Sequence, residues 1–334
     1  MASAPQSTKS SPTKGRQRPP IQDPLEQAGF VSKGDVKLLD PKAQQLYYEK
    51  IMERYMKFCN DYSNDVDAAF ASLPKNRSDD STRNPPVPNA PVAIRDPSSR
   101  HAAPAAPTQN KFVRPENLTD SAAKDLSVLL LSLRKLREGV IATASKTPVA
   151  FAQQVHIFCI RTGILAGHPP SYYPPLKRLL QVLHGPSNPL SEPDLHEFTS
   201  YLILDYACRQ NELHLAFDLR AKSKADFGFN NTTINNVLSA LMHDNWVLFW
   251  KSGRGVDGYT RSLMSWAEGF VRRRALKAIA RAYLSVDLSY IIECCTGSED
   301  GCTWEELVEQ EGMGWKLEGN KVIIRIRKPA AKAK

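Results

Sequence analysis

The sequence predicts a mostly α-helical fold, in which an α-helical hairpin array leads into a C-terminal winged helix and follows a disordered N-terminal region. Three observations predict it. From residue 118 onwards, apolar residues recur at the helical period and short polar turns separate the segments. A long segment without internal proline, Tyr259 to Tyr283, comes next. Short β-prone runs then flank a turn near the C-terminal end.

The composition is that of a basic protein, but the basic residues are not concentrated in one part of the sequence. The chain has 334 residues, a formal net charge of +9 and 24 prolines, most of them in the N-terminal part. Lysine and arginine residues are spread through the whole chain rather than concentrated on one element. The charge is therefore compatible with a nucleic acid or an acidic partner, but it selects neither.

The cysteines favour a reducing compartment. The sequence contains 6 cysteines without a C-x-x-C pair and no secretory signal, so we expect free thiols and a cytoplasmic or nuclear location. Cys294, Cys295 and Cys302 come nearest to a metal site, but adjacent cysteines cannot both reach one ion without distorting the backbone, so we expect no metal. No apolar run approaches the ~20 residues that a bilayer-spanning helix needs, so we expect no membrane partner.

The N-terminal third combines a tail, one helix and a linker. Residues 1–39 are expected to form a disordered basic tail, and residues 72–116 a linker rich in Pro, Ala and Ser. Between them, residues 40–60 predict an isolated amphipathic helix that begins after Asp40. Its apolar stripe has two alternative roles, packing on its own domain or docking in the groove of a partner. The stripe consists of Tyr47, Ile51, Tyr55 and Phe58.

Residues 118–284 predict the helical array. Short helices joined by short turns are expected to stack as antiparallel pairs in a right-handed superhelix, as tetratricopeptide repeats do, although no clean sequence repeat is present. The predicted helices begin near Thr119 and Asp120, Thr147 and Pro148, Pro174 and Pro175, Ser191 and Asp194, Asn211, Thr232, and Asp244.

The long helix that closes the array has two different halves. In the first half, Leu263, Trp266 and Phe270 form one apolar stripe and Met264, Ala267 and Val271 another, which predicts burial on several sides. In the second half, burial is expected to narrow to Ala275, Ile279 and Ala282. The opposite face of that half carries Arg274, Lys277 and Arg281.

Residues 285–327 predict the winged helix, and residues 328–334 a basic tail. Ser285–Asp287 form a short extended entry, and Leu288 to Cys294 allow about two helical turns. Thr303 and Glu306 predict a capping box at the start of the candidate recognition helix. Two β-prone runs, Trp315 to Leu317 and Val322 to Ile326, predict a hairpin.

This plan resembles the PCI domain, a family named for the proteasome lid, the signalosome and translation initiation factor three. One stretch is similar to the family's helix pair, with an aromatic-rich second helix: Ala240, Leu241, Met242, Asn245, Trp246, Phe249 and Trp250. Another is similar to its long helix and winged-helix entry: Arg272, Arg273, Arg274, Ala275, Leu276, Lys277, Ile279, Ala280, Ala282, Tyr283, Val286, Leu288 and Ile291. The resemblance covers residues 118–327. Within the family, the sequence is most similar to two branches, the smallest subunits and the GANP-like proteins of messenger-RNA export.

The resemblance implies a scaffold rather than an enzyme. Its winged helices pair edge to edge in large assemblies, so it implies other PCI-type subunits as partners, in a proteasome lid, a signalosome or a translation initiation complex. It brings no catalytic residue and no cofactor. Some members contact nucleic acid, which leaves RNA as a further partner.

An RNA-binding adaptor in messenger-RNA processing or export is therefore the first alternative. Its contacts with nucleic acid, or with an acidic partner, would come from the basic residues of the long helix and the hairpin. These are Arg274, Lys277, Arg281, Lys316, Lys321, Arg325, Arg327 and Lys328. The candidate recognition helix opposes this interpretation, because its glutamates repel phosphates.

A nucleotide-binding enzyme is the second alternative. Gly253–Gly258 matches G-x-G-x-x-G, in which the glycines allow a pyrophosphate to approach a helix N-terminus. The surrounding sequence does not alternate strands with helices, and no acidic residue follows at the spacing that the motif requires. A loop between two helices explains the glycines without a ligand.

Overall fold

The computed structural model describes residues 25, 29–30, 37–73, 116–297 and 303–325. This part of the chain is mostly α-helical and contains one small antiparallel sheet. Residues 74–115 of the predicted linker, most of the predicted tail 1–39, and the tail 328–334 lie outside the described residues.

The predicted helix at residues 40–60 is present, but it is not isolated. Helix α1 spans Pro41–Asp61 and begins after Asp40, whose carboxylate accepts hydrogen bonds from two amides of the first turn. A short helix α2, Val66–Phe70, follows. Both pack on α3, Glu116–Ala142, in one apolar core with Leu25, Phe30 and Leu38. These three apolar side chains, which precede Asp40 in the sequence, are therefore buried with α1.

The predicted docking stripe is part of this core. Tyr47, Ile51 and Phe58 are buried, and Tyr55 is half-buried between the rings of Phe70 and Phe158. Of the two alternatives for α1, the structure has the helix packed on its own chain. Its apolar stripe is consequently covered and does not offer a groove-binding face to a partner.

Seven further helices follow α3 in short-turn succession. They are α4 Val149–Leu165, α5 Pro169–Arg178, α6 Glu192–Leu204, α7 Leu213–Phe227, α8 Thr232–Met242, α9 Trp246–Gly253 and α10 Gly258–Ala282. Single π-helical turns extend α5 through Leu179–Leu183 and α6 through Asp205–Arg209. Side chains from all of the helices from α4 through α10 form a second apolar core.

Two helix starts differ from the sequence prediction. Helix α3 begins at Glu116 rather than at Thr119 or Asp120, and the sequence has a proline just before it, a residue that favours a helix start. Helix α5 begins with Pro169, so Pro174 and Pro175 lie inside it rather than before it. Pro169 and its neighbour fill the first turn, where a missing amide costs nothing.

The long helix α10 has the predicted two halves. Leu263, Met264, Ala267 and Val271 are buried in the second core. Ala275, Leu276 and Ile279 are buried in a third core with the C-terminal module, whereas Ala282 is exposed, contrary to the prediction. Ala282 is the last helical residue, where the chain turns into the first strand.

The C-terminal module consists of a small sheet and short helices. Strand β1, Ser285–Asp287, is followed by α11, Leu288–Tyr290, which continues as the π-helical turn Ile291–Cys295. Helix α12, Trp304–Glu311, precedes the hairpin of β2, Lys316–Glu318, and β3, Lys321–Ile323. The strand order is β1-β3-β2, and both pairs are antiparallel.

Candidate interaction surface

Arg274 is exposed like its two predicted neighbours, and it also contacts a neighbouring turn. Its guanidinium lies 2.5 Å from the carboxylate of Asp244 and over the ring of Phe270. It therefore ties α10 to the turn between α8 and α9. Lys277 and Arg281 are exposed on the same helix. All three residues of the predicted basic face are therefore exposed, and Asp244 pairs with the charge of one of them.

Arg272 ties α10 to α12. Its guanidinium donates to the Gln310 side chain at 3.0 Å and lies 3.8 Å from the Glu311 carboxylate. Its side chain is only 17% exposed, so this contact is largely shielded from water. The sequence showed a basic cluster here but gave no sign that one of its members joins two elements.

The hairpin carries its basic residues among acidic ones. Lys316 and Lys321 are exposed, and Lys321 stands between Asp287 on β1 and Glu318 on β2 in the strand register. This row across the outer face of the sheet therefore alternates in charge. Neighbouring carboxylates of opposite charge weaken the attraction of Lys321 for phosphate.

Arg325 lies beside the end of α10. Its guanidinium donates to the carbonyl oxygens of Arg281 at 2.8 Å and Tyr283 at 3.5 Å. The structure thus brings Arg325 and Arg281 together. The Arg325 guanidinium, however, spends some of its donors on carbonyl groups at the C-terminal end of α10. Arg327 and Lys328 lie outside the described residues.

Helix α12 presents an acidic face. The predicted capping box is present: Thr303 accepts from the amide of Glu306, whose carboxylate accepts from the amide of Thr303. Glu305 and Glu309 are exposed on the following turns. An acidic helix beside scattered cations disfavours a phosphate-binding groove on this element.

In the part of the chain that the structure describes, no strand pairs with the outer side of β1. Ile324 donates to the Leu284 carbonyl at 2.8 Å, and Leu288 donates to the Asn320 carbonyl at 3.0 Å. Because hydrogen-bonded residues alternate along an antiparallel strand, Val286 is the β1 residue whose amide and carbonyl face β3. The amide and carbonyl of Ser285 and the amide of Asp287 therefore face the outer edge of the sheet, while the Asp287 carbonyl lies at the start of α11.

A groove of about 360 Å³ runs along this edge. Its lining includes Tyr283 and Tyr290, which are 50% and 37% exposed, together with Val286. Sequence reasoning missed this site, although the alternation of Tyr283, Ser285 and Asp287 already put them on one side of an extended segment. What the sequence lacked was the strand order that makes β1 an outer strand.

The glycine motif joins two helices. Gly253 ends α9 and Gly258 begins α10, so a helix stands where a dinucleotide fold has a strand. The Asp257 carboxylate accepts hydrogen bonds from the amides of Tyr259 and Thr260. A carboxylate thus occupies the helix N-terminus at which a phosphate would bind.

Two of the described cysteines, Cys159 and Cys208, are buried. Burial raises the pKa of the Cys159 thiol to about 12 and also raises the pKa of Cys208. Among the described residues, no group of three or more His, Cys, Asp and Glu side chains is placed to hold a metal ion. None of the helices in that part of the chain is both long and apolar enough to span a membrane.

No protein-family model matches the sequence, and no curated protein sequence matches it either.

Proposed function

We propose that this chain is a non-catalytic scaffold subunit of a multi-protein complex. In this proposal α3 to α10 form a PCI-like helical array with a right-handed superhelical path, and the C-terminal module is a winged helix with α12 as its third helix. Its partners are other PCI-type subunits, as in a proteasome lid, a signalosome or a translation initiation complex. The complex resides in the cytoplasm, the nucleus or both.

The observation that carries this proposal is the position of α10 in two cores. Its first half is buried with the hairpin helices, and its second half with the sheet module. A continuous helix transmits a fixed orientation between the two, because bending it would cost backbone hydrogen bonds. Such a rigid joint suits a protein that holds partners in a defined geometry.

The open edge of the sheet supports the same conclusion. A strand with unpaired amide and carbonyl groups is a template for another strand, and soluble proteins usually cover or blunt such an edge. Here the residues around it include the exposed rings of Tyr283 and Tyr290. An interface with a partner would cover both the edge and the rings.

An RNA-binding adaptor is the second candidate, favoured by the exposed Lys277, Arg281 and Lys321. Its binding would weaken steeply with salt, because phosphate contacts release counterions. Lys277→Glu combined with Lys321→Glu would then abolish RNA retention, and the charge-conserving pair Lys277→Arg with Lys321→Arg would keep it. Equal retention by both double variants would remove this candidate.

The nucleotide-binding enzyme receives less support. Helix α9 lies where a dinucleotide fold has a strand, and the Asp257 carboxylate caps α10 where the phosphate would bind. A nicotinamide or flavin dinucleotide that raised the thermal midpoint would revive it, because a ligand specific to the folded state stabilises that state.

The scaffold proposal is tested by purifying the tagged full chain from cells that produce it. The expected result is a set of other proteins in fixed stoichiometry that stays bound at moderate salt. Recovery of the chain alone, from cells in which it is expressed at its natural level, would contradict the proposal.

A further inference from the structure

We propose that the β1 edge binds an extended strand of another protein that carries a lysine or arginine opposite Asp287 and an apolar side chain opposite Val286. This inference rests on the proposed scaffold function and specifies the partner at one surface. The incoming segment becomes a fourth strand, next to β1.

The backbone geometry defines how that strand attaches. Val286 uses its amide and carbonyl on β3, so Ser285 supplies an outward-facing amide and carbonyl, and Asp287 supplies an outward-facing amide. Main-chain hydrogen bonds at these two residues give the attachment its affinity, while pockets for alternate side chains give it specificity. Ser285 and Asp287 are both exposed, so a strand can approach them without displacing a part of the described chain.

The charged side chains that face each other across the three strands determine which residue type fits opposite Asp287. Glu318, Lys321 and Asp287 are direct neighbours across β2, β3 and β1, and their charges read negative, positive, negative. Opposite charges in facing positions stabilise a sheet, and like charges destabilise it. The fourth member of this row is therefore basic.

The other face of the sheet selects the next residue. Leu317, Val322 and Val286 form the adjacent row, in which Val322 is fully buried. A residue opposite Val286 continues this row, and Val286 itself is only half-buried. An apolar side chain there covers the exposed part of Val286, which favours binding in proportion to the apolar area buried.

A second copy of this chain does not fit these requirements. Two β1 strands paired antiparallel about Val286 would put Ser285, not a basic residue, opposite Asp287. The two Asp287 carboxylates would also become diagonal neighbours of like charge. The occupant is thus a strand from a different protein.

The test measures binding of two designed peptides to the full chain by fluorescence polarisation. Both are fluorescein-labelled and alternate threonine with valine; one has lysine at a central threonine position and the other has glutamate. The lysine peptide is expected to bind about threefold to tenfold more tightly, the range that corresponds to a favourable against an unfavourable cross-strand charge pair. Asp287→Lys in the protein should reverse that preference.

Proline supplies the matched control on the backbone. Ser285→Pro removes an outward amide that β3 does not use, a position at which an edge strand tolerates proline. This variant should lose the lysine peptide, whereas Ser285→Thr should bind it, and both should keep the thermal midpoint of the parent chain. Equal binding of the two peptides, binding of neither, or binding unaffected by Ser285→Pro would overturn the inference. The scaffold function does not depend on these outcomes. It stands if the tagged chain purifies with a stoichiometric assembly, even when the inference about the β1 edge fails.

Discussion

Gly163 lies at a close approach of α4 and α5. A Cβ atom added at this residue would be 2.9 Å from the backbone nitrogen of Tyr172 and 3.0 Å from the carbonyl carbon of Ser171. Neither atom can move without shifting α5, which Tyr172 and Leu176 hold in the core. We expect Gly163→Ala to lower the free energy of unfolding by about 1–3 kcal/mol, the usual cost of overpacking. Urea denaturation measures it.

Gly269 provides the matched control within a helix. Its added Cβ would meet only the end of the Arg273 side chain, at 3.4 Å. Gly269→Ala should therefore raise the free energy of unfolding by up to about 1 kcal/mol, because alanine is the better helix former. Equal effects of the two substitutions would show that the close approach at Gly163 is not as described.

His156 makes the fold sensitive to acid. Its ring is fully buried, with Nδ1 2.7 Å from the Ala152 carbonyl oxygen, and burial next to Arg178 and Arg137 lowers its pKa to about 4. In the unfolded chain the pKa is about 6.5, so between these values only the unfolded state binds the proton. Stability should fall by up to about 3 kcal/mol as the pH drops from about 6.5 to about 4.

Chemical denaturation of the parent chain and His156→Gln across this pH range checks the prediction. The slope of stability against pH should be shallower in the variant, because glutamine does not titrate. Parallel slopes would contradict the assignment of this acid sensitivity to His156.

Local signals at the residue scale were readable from the sequence, and long-range ones were not. Asp40 and Thr303 cap helices as predicted, because a cap needs only neighbours in the chain. Asp205 gave no such signal. It is fully buried and accepts hydrogen bonds from Tyr172 at 2.6 Å and from Arg209 and Gln210, and the partner from α5 is distant in the sequence.

Helix α1 is an integral part of its core. Ile51 is fully buried, while Leu46 on the same helix is 67% exposed. We expect Ile51→Ala to cost about 2–5 kcal/mol of unfolding free energy, as large-to-small changes in a core do, and Leu46→Ala to cost less than about 0.5 kcal/mol. Thermal unfolding followed by circular dichroism separates them. A small effect at both positions would indicate that α1 is detached.

The cap of α12 stabilises the C-terminal module. Thr303→Ala removes the hydroxyl that accepts from the Glu306 amide, and should cost about 1 kcal/mol. Thr303→Ser keeps this oxygen and should behave like the parent chain. Denaturation followed by tryptophan fluorescence, to which Trp304 and Trp315 in this module contribute, reports the difference. Identical midpoints for all three chains would contradict a stabilising cap.

At the element scale, the sequence predicted where the helices lie better than it predicted which elements pack against them. The stripe of α1 was recognised, yet hydrophobic periodicity shows only that one face is buried, not against what. The same limit applies to Arg274: its helical spacing predicted an exposed side chain, which it is, but gave no sign of its partner Asp244 on a neighbouring turn. Contacts between distant segments depend on the tertiary arrangement.

At the scale of the whole molecule, α10 joins two of three apolar cores, and the sheet lies at its C-terminal end. The division of α10 into two halves was predicted, because the apolar pattern changes along the helix itself. The open edge was not, because the β-prone runs do not reveal that β3 takes the central position between β1 and β2. Strand order is set by pairing across the chain.

The native mass of the assembly formed by the tagged chain, measured for the parent, Ser285→Thr and Ser285→Pro, tests the central claim most directly. The parent and Ser285→Thr chains should migrate well above the mass of a single chain, and Ser285→Pro should lose at least one stoichiometric partner while remaining folded. A parent chain that migrates alone would contradict the scaffold function, and an assembly that Ser285→Pro leaves intact would contradict the role of the β1 edge in it.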